Sequence, residues 1–358
     1  MVKNFGIIGC GMIASFHAKA IREIGGNLVA CFDHVPQSSE RIAKEYGAKS
    51  YIDLNSFLTH PNLEIVTIGT PSGAHCETAV AAAEAGKHVI VEKPLEITLE
   101  RCDKIIAACD KAGITLSTIF PSRFHDSSRK IKKAIESGRF GKLTIGDAIV
   151  KWYRTQEYYD SGAWRGTWEL DGGGALMNQA IHSVDLLTWL MGPVVEVNAV
   201  TSLLAHERIA VEDTAAAAIR FQSGALGIIE ATTAAYPGYL KRIEIHGSTG
   251  SAVMEEEDII KWDFASSIDD DAEIRETMTN RLSTGGGAAD PAAIGYHAHA
   301  RQFRDVLDAI DSGRKPLVDG HEGRKSVEII LAIYAAAEKQ AAVTLPLGSD
   351  PILHVRTK

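Results

Sequence analysis

Two side chains in this sequence, Lys93 and His182, are of the types that polarise a hydroxyl group or accept its proton. Lys93 stands in the tripeptide Glu-Lys-Pro at 92–94, directly after an apolar run, where a lysine can stabilise a developing alkoxide. His182 lies in a helical pattern, four residues after Asn178 and three before Asp185, which could orient the imidazole. Histidine is a natural proton acceptor near neutral pH. Each residue also has an ordinary alternative: a surface lysine after a strand, and a core histidine bonded to its neighbours.

A glycine-rich turn near the start of the chain has the spacing of a phosphate-binding loop. The motif G-x-G-x-x-A at 9–14 ends an apolar run and opens a helical pattern. Gly9 permits the tight turn, Gly11 lets the backbone approach a pyrophosphate, and the helix N-terminus presents free N–H groups. We therefore predict a dinucleotide site to which Met12 and Ile13 also belong. A glycine turn in a cofactor-free α/β fold is the alternative.

Asp33 ends the second apolar run, 22 residues after Gly11, and it predicts NAD as the cofactor. Its carboxylate can accept hydrogen bonds from the ribose hydroxyls of NAD, and it would repel the 2′-phosphate of NADP. The next residues, 34–37, contain no arginine that could receive that phosphate. Arg41 lies one turn further along, so NADP stays open as the less favoured cofactor.

Further cofactor contacts are expected where other strands end, because ligands of open α/β sheets bind beyond the carboxyl ends of the strands. The candidates are Thr70, Pro71, Ser72, His75, Glu92 and Lys93. Three glycines at 172–174 open the helical pattern that carries His182, and we expect them to let the backbone approach the nicotinamide. Tyr296, His297 and His299 form a cluster with no cysteine or paired acids nearby, so no metal site is predicted.

The elements that position these residues change in character near Pro121. Up to that residue, apolar runs alternate with helical patterns, which predicts parallel strands covered by helices on both faces. After it, strand runs joined by short turns indicate an antiparallel sheet, and two helical patterns follow near the C-terminus. We therefore predict two domains, residues 1–121 and residues 122–358.

Length, charge and cysteine content exclude several classes of protein. A chain of 358 residues is long enough for about two domains. The net charge of −9 argues against a nucleic-acid partner, and no apolar run approaches the ~20 residues of a membrane span. Five cysteines without a CxxC motif indicate neither a disulfide framework nor a zinc ribbon, so a cytoplasmic location is expected. Ten acidic residues against two basic ones in the segment 254–276 predict a solvated, mobile surface excursion.

Five motifs together resemble the Gfo/Idh/MocA oxidoreductases over essentially the whole chain. They are residues 9–14, 70–71, 92–94, 172–187 and 321–338. The resemblance implies an α/β fold with an N-terminal Rossmann dinucleotide-binding domain and a C-terminal α/β domain built on a large, mostly antiparallel open sheet. It implies hydride transfer between a nicotinamide cofactor and a sugar-like alcohol or ketone, with Lys93 and His182 as catalytic residues. It also implies a homodimer or homotetramer that packs through the open sheet.

One position departs from the family pattern. The family commonly has an aspartate four residues before the catalytic histidine, and this sequence has Asn178 there. Because an amide cannot act as a base, the proton should pass to His182, with Lys93 assisting. The segment 158–182 is similar to the subgroup that includes UDP-N-acetylglucosaminuronate 3-dehydrogenases, in which asparagine also occurs. In such sites an aromatic-rich loop lines the sugar pocket.

The resemblance and the residue types around the predicted catalytic helix also point to the substrate. Aromatic rings stack on the C–H faces of sugars, and arginine forks bind carboxylate or phosphate groups. The expected substrate-binding residues are Arg123, Tyr153, Trp164, Arg165, Asn178 and His182, with Trp152, Arg154 and Tyr159 as further pocket or core positions. We predict a pyranose oxidised at a ring hydroxyl, C3, that can carry a uronate or nucleotide group. An NADPH-dependent keto-sugar reductase and a non-catalytic nucleotide-sensing regulator of the same fold are the alternatives.

Overall fold

The computed structural model describes residues 2–279 and 295–353, and their contacts separate two compact units. The first unit contains the described residues up to 121 together with residues 295–327. The second contains the described residues of 122–294 and of 328–358. All five cysteines lie in the first unit, where they are buried thiols. Every helix in the described ranges is too short or too polar to traverse a lipid bilayer.

Short strands that alternate with helices make up the first 121 residues. The strands are β1 (Asn4–Ile8), β2 (Asn27–Phe32), β3 (Lys49–Tyr51), β4 (Ile65–Ile68), β5 (His88–Val91) and β6 (Leu116–Thr118). The helices are α1 (Met12–Glu23), α2 (Pro36–Tyr46), α3 (Leu54–Leu58), α4 (His75–Glu84) and α5 (Leu99–Ala112). β4 is buried along its whole length, because helices cover both faces of a parallel sheet.

All six strands of the first unit are parallel and lie in the order β3-β2-β1-β4-β5-β6. The order reverses between β1 and β4, so a crevice opens beyond the carboxyl ends of these two strands, where ligands of doubly wound sheets bind. The parallel sheet expected from the alternating pattern is confirmed. Only β3 escaped prediction, because it is three residues long and none of its side chains is buried.

The later part of the chain supplies a second set of strands and helices. The strands are β7 (Leu143–Lys151), β8 (Val194–Ser202), β9 (Thr214–Phe221), β10 (Leu226–Thr232), β11 (Arg242–Gly247), β12 (Gly250–Glu255) and β13 (Asp258–Phe264). The helices are α6 (Asp126–Glu136), α7 (Gln156–Asp160), a π-helical turn (Ala175–Ala180) that runs directly into α8 (Ile181–Met191), and α9 (Asp270–Thr279). After these come α10 (His297–Ser312), α11 (Gly320–Lys339) and β14 (Val343–Thr344).

Eight strands form the sheet of the second unit, in the order β13-β12-β11-β7-β10-β9-β8-β14. Every neighbouring pair is antiparallel except β7 and β10, which confirms the expected large, mostly antiparallel sheet. Helix α8 packs against β7 and β11, and α6 packs against β12. Buried and exposed residues alternate along β9, as expected for a strand with one covered face.

Helix α10 belongs to the first unit, although its residues fall inside the predicted second domain, 122–358. Its buried side chains include Phe303 and Val306, which join the same apolar core as Phe5 and Ile7 of β1. The rings of Phe5 and Phe303 stack with centroids 6.3 Å apart. The predicted domain range therefore needs a correction: residues 295–327 belong to the first unit. The order of strand and helix patterns along the sequence does not show that the chain returns to the first unit after passing through the second.

The acidic segment 254–276 is structured, so the expectation of a mobile surface excursion is wrong. Ile259 and Trp262 stand between its acids and are buried on β13. Asp271 is 1 % exposed and forms an ion pair with Arg139, with 2.8 Å between Oδ1 and Nη1. Hydrogen bonds from Arg139 hold the pKa of Asp271 well below its usual range despite burial. Apolar anchors among the acids allow this segment to pack.

Candidate active site

The glycine-rich loop between β1 and α1 has open space in front of one glycine. Gly9 has a φ of +85°, and a Cβ there would lie 2.7 Å from the backbone of Gly69, so packing requires this glycine. Gly11 caps α1, and a Cβ on it would meet no described atom within 4 Å. The space before Gly11 and the first N–H groups of α1 therefore fits a pyrophosphate. Met12 is exposed beside it, and Ile13 packs against Gly69.

Asp33 accepts hydrogen bonds from the glycine-rich loop and can still accept hydrogen bonds from the hydroxyls of a ribose. Its Oδ2 accepts a hydrogen bond from the N–H of Cys10 at 2.7 Å, and Oδ1 accepts one from the N–H of Val35 at 2.8 Å. A carboxylate oxygen can accept more than one hydrogen bond, so capacity for ribose hydroxyls remains. Nη2 of Arg41 donates to the carbonyl of Cys10 at 2.9 Å. Because the guanidinium that NADP would need is engaged on the loop, the arrangement fits NAD.

His75 links the turns that follow β4 and β5. Its Nδ1 lies 2.9 Å from the carbonyl oxygen of Pro94, and its Nε2 lies 3.0 Å from that of Thr70. The ring is 1 % exposed, and burial lowers the pKa of His75. Pro71 and Ser72 begin the short 3₁₀ turn that leads into α4. The structure thus gives His75 a bracing role behind the cofactor turns, whereas a direct cofactor contact was expected.

Glu92 lies in a buried cluster with His17 and His299. Nε2 of His17 donates to Oε1 of Glu92 at 2.9 Å, and Nε2 of His299 lies 3.8 Å from the same oxygen. Oε2 accepts the backbone N–H of Lys93 at 3.1 Å. Burial raises the pKa of Glu92, but the hydrogen bond from His17 and the charges of His17, His299 and Lys93 outweigh it and lower the pKa to about 2. Glu92 is therefore a carboxylate whose second oxygen fixes the backbone of Lys93.

The same three residues carry atoms that a metal ion could use. Their donor atoms lie within 4.8 Å of one another, and zinc binds histidine and carboxylate ligands. In the structure, however, Oε1 of Glu92 is hydrogen-bonded to His17 and Oε2 is hydrogen-bonded to the N–H of Lys93. Hydrogen bonds thus account for both carboxylate oxygens of Glu92, and the expectation that the protein has no metal site stays a prediction.

Packing within the second unit explains two of the three glycines that precede the π-helical turn. A Cβ on Gly173 would lie 2.1 Å from the hydroxyl of Tyr334. A Cβ on Gly174 would lie 1.7 Å from the carbonyl oxygen of Glu212. These glycines therefore permit close contact with Tyr334 and Glu212. The expectation that the triplet lets the backbone approach the nicotinamide stays a prediction.

Glu212 is buried beside these glycines and has three hydrogen-bond donors. Its Oε2 accepts from the N–H of Gly174 at 2.9 Å. Its Oε1 accepts from the N–H of Leu176 at 2.9 Å and from the hydroxyl of Tyr334 at 3.0 Å. Burial raises the pKa of Glu212 to about 7, because these neutral donors only partly offset the loss of hydration.

The π-helical turn carries Asn178 and leads into the first turn of α8, where His182 lies half-buried. The amide nitrogen of Asn178 donates to the carboxylate of Asp171, which also accepts the N–H of Gly166 at 2.9 Å. The amide oxygen of Asn178 accepts from Nε2 of Gln179 at 2.9 Å. These bonds hold Asn178 in one orientation, four residues before His182.

Arg123 is engaged inside the second unit, so its predicted role in substrate binding is corrected. Its Nε and Nη2 donate to the two carboxylate oxygens of Asp185 at 2.8 and 2.6 Å, and both side chains are buried. The guanidinium also lies over the ring of Trp189, 5.7 Å from its centroid. A bidentate pair uses the fork that an anionic substrate would need. The carboxylate of Asp185, which was expected to orient His182, is bound to Arg123.

The aromatic loop contacts the π-helical turn through a network centred on Tyr158. The hydroxyl of Tyr158 accepts from Nη1 of Arg165 at 2.6 Å and from Nε2 of Gln179 at 3.0 Å. The guanidinium of Arg165 lies 4.3 Å from the ring centroid of Tyr158 and 4.5 Å from that of Trp164. Nη2 of Arg154 donates to the amide oxygen of Gln179 at 3.0 Å. Two arginines and two aromatic rings are thereby gathered at the start of the predicted catalytic helix.

The remaining aromatic candidates differ in exposure. Trp152 and Tyr159 are buried, and the hydroxyl of Tyr159 shares a 2.8 Å hydrogen bond with Thr233. The ring of Tyr153 is partly exposed and meets the ring of Tyr236 edge-on, with centroids 5.3 Å apart. Core packing therefore accounts for Trp152 and Tyr159, whereas Tyr153 stays a candidate for substrate contact.

Three contributors to these arrangements were missed at the level of sequence: Tyr158, Glu212 and His17. Tyr158 was one ring among several in an aromatic loop, and spacing alone did not distinguish it. Glu212 is an acid at the start of an apolar strand, and the unusual glycine triplet is the signal that could have prompted a search for its partner. His17 falls on the buried stripe of α1, where a polar residue indicates a buried bond.

Comparisons with known proteins agree with the fold and with the cofactor loop. Residues 3–120 match the model of the oxidoreductase family with an NAD-binding Rossmann fold, and residues 128–253 match the Gfo/Idh/MocA C-terminal domain. The WlbA dehydrogenase from Bordetella pertussis, solved with NADH and UDP-GlcNAcA, is 37% identical with a TM-score of 0.89, over 97% of this chain and 98% of that one. Levoglucosan dehydrogenase, solved with NADH and levoglucosan, is 27% identical with a TM-score of 0.85, over 97% of this chain and 100% of that one.

Curated relatives are named for sugar and inositol oxidation. Myo-inositol 2-dehydrogenase of Thermotoga maritima is 28% identical over 96% of this chain and 98% of its own length. Levoglucosan dehydrogenase of Pseudarthrobacter phenanthrenivorans is 30% identical over 87% of each chain. The chain therefore belongs to the Gfo/Idh/MocA oxidoreductase family, and within that family it is an NAD-dependent dehydrogenase of sugars or polyols.

Proposed function

We propose that this protein oxidises a ring hydroxyl, at C3, of a pyranose that carries an anionic group, with NAD as the oxidant. The observation that carries the proposal is the network at the π-helical turn, in which the half-buried Arg165 lies over two aromatic rings. Guanidinium forks bind carboxylate or phosphate groups, and aromatic rings stack on sugar C–H faces. The likeness to a WlbA dehydrogenase solved with UDP-GlcNAcA supports a substrate of that class.

In the proposed reaction, His182 accepts the proton of the substrate hydroxyl, and Lys93 donates a hydrogen bond to the same oxygen as its charge develops. Bound NAD supplies the acceptor for the hydride that leaves the carbon. One C–H and one O–H bond break and one C=O bond forms, so the products are a keto-sugar, NADH and a proton on His182. Asn178 contributes a fixed amide, which cannot act as a base.

The position of Lys93 supports this assignment. It is half-buried and follows β5 at the carboxyl edge of the parallel sheet, where ligands of such sheets bind. Its backbone N–H is held by Oε2 of Glu92 at 3.1 Å. Because the carboxylate of Glu92 is itself anchored by His17, the chain on which the lysine stands is fixed. A lysine fixed in this way costs little reorganisation as it stabilises a developing alkoxide.

Kinetics of Arg165→Ala test the anionic part of the proposal. NADH formation is measured with UDP-GlcNAcA, with UDP-GlcNAc, which lacks the uronate, and with uncharged myo-inositol. Loss of a charge-assisted pair should raise KM for UDP-GlcNAcA about tenfold, or about 1.4 kcal/mol, with a smaller effect on UDP-GlcNAc and none on myo-inositol. Arg208→Ala is the matched control, because Arg208 forms an exposed ion pair with Asp160 at 2.7 Å.

A neutral polyol or anhydrosugar is the second candidate substrate. The observation that favours it is the similarity to curated myo-inositol and levoglucosan dehydrogenases, at 28% and 30% identity. It takes the place of the anionic sugar if myo-inositol or levoglucosan is oxidised best and Arg165→Ala lowers kcat/KM equally for charged and uncharged substrates.

We also propose that the protein forms a homodimer or homotetramer through the uncovered face of the second unit's sheet. Val200 on β8 and Leu226 and Ile228 on β10 are 70, 48 and 40 % exposed. Several large apolar side chains exposed on one face of a sheet favour association. Ile228→Glu should reduce the mass measured by light scattering to that of one chain, whereas Ile52→Glu, at an exposed position of the first unit, should not. An unmutated protein with the mass of one chain would contradict the proposal.

A further inference from the structure

Glu212 provides the acceptors for three consecutive backbone N–H groups at the start of the π-helical turn. Its side chain accepts from Gly174 and Leu176, each at 2.9 Å, and its main-chain carbonyl accepts from Ala175 at 3.1 Å. The first N–H groups of a helix have no partner inside the helix, and a negative charge at that end is favourable. One residue therefore caps the helical segment that contains His182.

Glu212 packs closely against the π-helical turn. Glu212 is 5 % exposed, and its Oε1 also accepts the hydroxyl of Tyr334 at 3.0 Å. A Cβ on Gly174 would lie 1.7 Å from its carbonyl oxygen, so the two backbones touch. A π-helical turn departs from regular α-helical bonding and is frequent at functional sites. The orientation of Asn178 and His182 therefore depends on the acceptors at the start of the turn.

We propose that Glu212, in its ionised form, is a positioning residue that holds the π-helical turn and thereby sets the place of His182. An ionised carboxylate accepts hydrogen bonds on both oxygens, whereas a protonated one carries a hydroxyl that would face a backbone N–H. Protonation releases one of the two side-chain bonds and loosens the start of the helix. This inference rests on the proposed function, because it takes His182 as the base.

The other titratable groups around Glu212 do not mask the loss of its proton. The phenols that face it are Tyr334 on α11 and Tyr159 on α7, and burial raises the pKa of both, so they stay neutral. The neighbouring Asp213 turns its carboxylate to the N–H groups of 204–206. Burial raises the pKa of Glu212 itself to about 7. Below that pH, turnover should therefore require deprotonation of Glu212.

The test compares Glu212→Gln with the unmutated protein and with Asp271→Asn as the matched control. Asp271 is also a buried carboxylate of the second unit, but it is bonded to Arg139, Trp262 and the N–H of Ile268. Amide hydrogen exchange is followed over residues 172–187, and turnover of UDP-GlcNAcA with NAD is measured against pH. In Glu212→Gln, exchange of the 174–176 amides should rise about tenfold, and kcat should fall about tenfold with KM for NAD unchanged.

The pH profile separates positioning from a general loss of structure. In the unmutated protein, log kcat/KM should fall more steeply below pH 7 than in Glu212→Gln, because Glu212 is one further group that must lose its proton. Asp271→Asn should keep the slope and the exchange of the unmutated protein. Unchanged exchange in Glu212→Gln, or a slope equal to that of the unmutated protein, overturns the proposal.

Two further measurements cover the cases in which Glu212→Gln does not fold or the proposed function itself is wrong. If Glu212→Gln does not fold, the unmutated protein decides. For a local opening of the turn, in which Glu212 stays buried and loses only its N–H donors, protection of the 174–176 amides, corrected for intrinsic exchange, should fall as the pH drops through about 7. Protection that does not depend on pH overturns the proposal. Failure of the proposed function appears separately as normal turnover by His182→Ala, and it leaves the exchange result unaffected.

Discussion

Each unit of the protein buries one glutamate beside a predicted catalytic residue, and the two carboxyl groups behave in opposite ways. In the first unit, Glu92 contacts His17, His299 and the backbone of Lys93, and its pKa is lowered to about 2. In the second unit, Glu212 contacts two backbone N–H groups and a phenol, and its pKa is raised to about 7. Both side chains are buried, so burial alone does not decide the charge.

The pKa values of the two glutamates differ because the groups that contact their carboxyl oxygens differ. Burial destabilises a carboxylate in both places, and at Glu92 the hydrogen bond from His17 and the positive charges around it outweigh that cost. Glu92 is therefore a permanent anion that fixes the lysine's backbone. Glu212 has only neutral dipoles, so its ionisation falls close to physiological pH. The first unit thus offers a rigid support for Lys93, and the second offers a support for His182 that a change of pH can weaken.

The largest effect is expected from removing the residue that each unit contributes to the chemistry. His182→Ala should lower kcat by roughly 10²–10⁴, the usual span for loss of a general base. Lys93→Ala should lower kcat comparably and leave NAD affinity nearly unchanged, because its role is to stabilise the substrate oxygen. Steady-state rates and NAD titration check both. Near-normal turnover by either variant removes that residue from the mechanism.

Two glycine substitutions should have different effects, because one lies in the open loop of the first unit and the other in the packed turn of the second. A Cβ on Gly174 would lie 1.7 Å from backbone of Glu212, so Gly174→Ala should lower the free energy of unfolding by about 3 kcal/mol. A Cβ on Gly11 meets no described atom within 4 Å, so Gly11→Ala should fold normally and weaken NAD binding. Urea denaturation and NAD titration decide; equal stability of the two variants would contradict this contrast.

The two glutamates should give opposite dependences of stability on pH. The pKa of Glu92 falls from 4.5 to about 2 on folding, so its contribution is present above pH 4.5 and is lost as the pH drops toward 2. The pKa of Glu212 rises from 4.5 to about 7 on folding, so for global unfolding, which exposes its carboxyl to water, its contribution to stability is greatest below pH 4.5 and is lost as the pH rises to about 7. Urea denaturation across this range should show that Glu92→Gln removes the first dependence and Glu212→Gln the second. If Glu92→Gln and Glu212→Gln change the stability over the same pH range, the two glutamates do not differ in this way.

The smallest effect concerns the choice of cofactor in the first unit. NAD should bind at least about tenfold more tightly than NADP, or about 1.4 kcal/mol, because the carboxylate of Asp33 would repel a 2′-phosphate. Asp33→Ser should narrow that gap, although loss of the bond to the N–H of Cys10 will also loosen the loop. Fluorescence titration with both cofactors checks this, and equal affinities in the unmutated protein would show that Asp33 does not discriminate.

Sequence patterns predicted the features that depend on neighbouring residues. Apolar runs marked five of the six parallel strands, and the spacing of Gly9, Gly11 and Asp33 marked the cofactor loop. The misses arise from contacts between distant residues. Glu212 bonds to Gly174 across 38 positions, and His17 bonds to Glu92 across 75. Local periodicity contains no information on such pairs, so the close contacts of Gly173 with Tyr334 and of Gly174 with Glu212 were not predicted.

Arg123 and α10 show the same limit. The sequence could place an arginine after the fifth predicted strand, but it could not show that Asp185, 62 positions later, would take both of its donors. It likewise indicated a helix around residues 298–313 without showing that its apolar face joins the core of β1. Residue types indicate which chemistry is available, whereas partners become known only when the fold brings them together.

Transfer of a labelled hydrogen tests the central claim most directly, namely that the protein oxidises a pyranose ring at C3 with NAD. UDP-GlcNAcA that carries deuterium at C3 is incubated with NAD and the unmutated protein, and the nicotinamide product is examined by mass spectrometry. The account predicts singly deuterated NADH together with a keto-sugar that has lost the label. Unlabelled NADH would show that another carbon is oxidised, and the absence of NADH, with rapid turnover of myo-inositol under the same conditions, would contradict the proposed substrate.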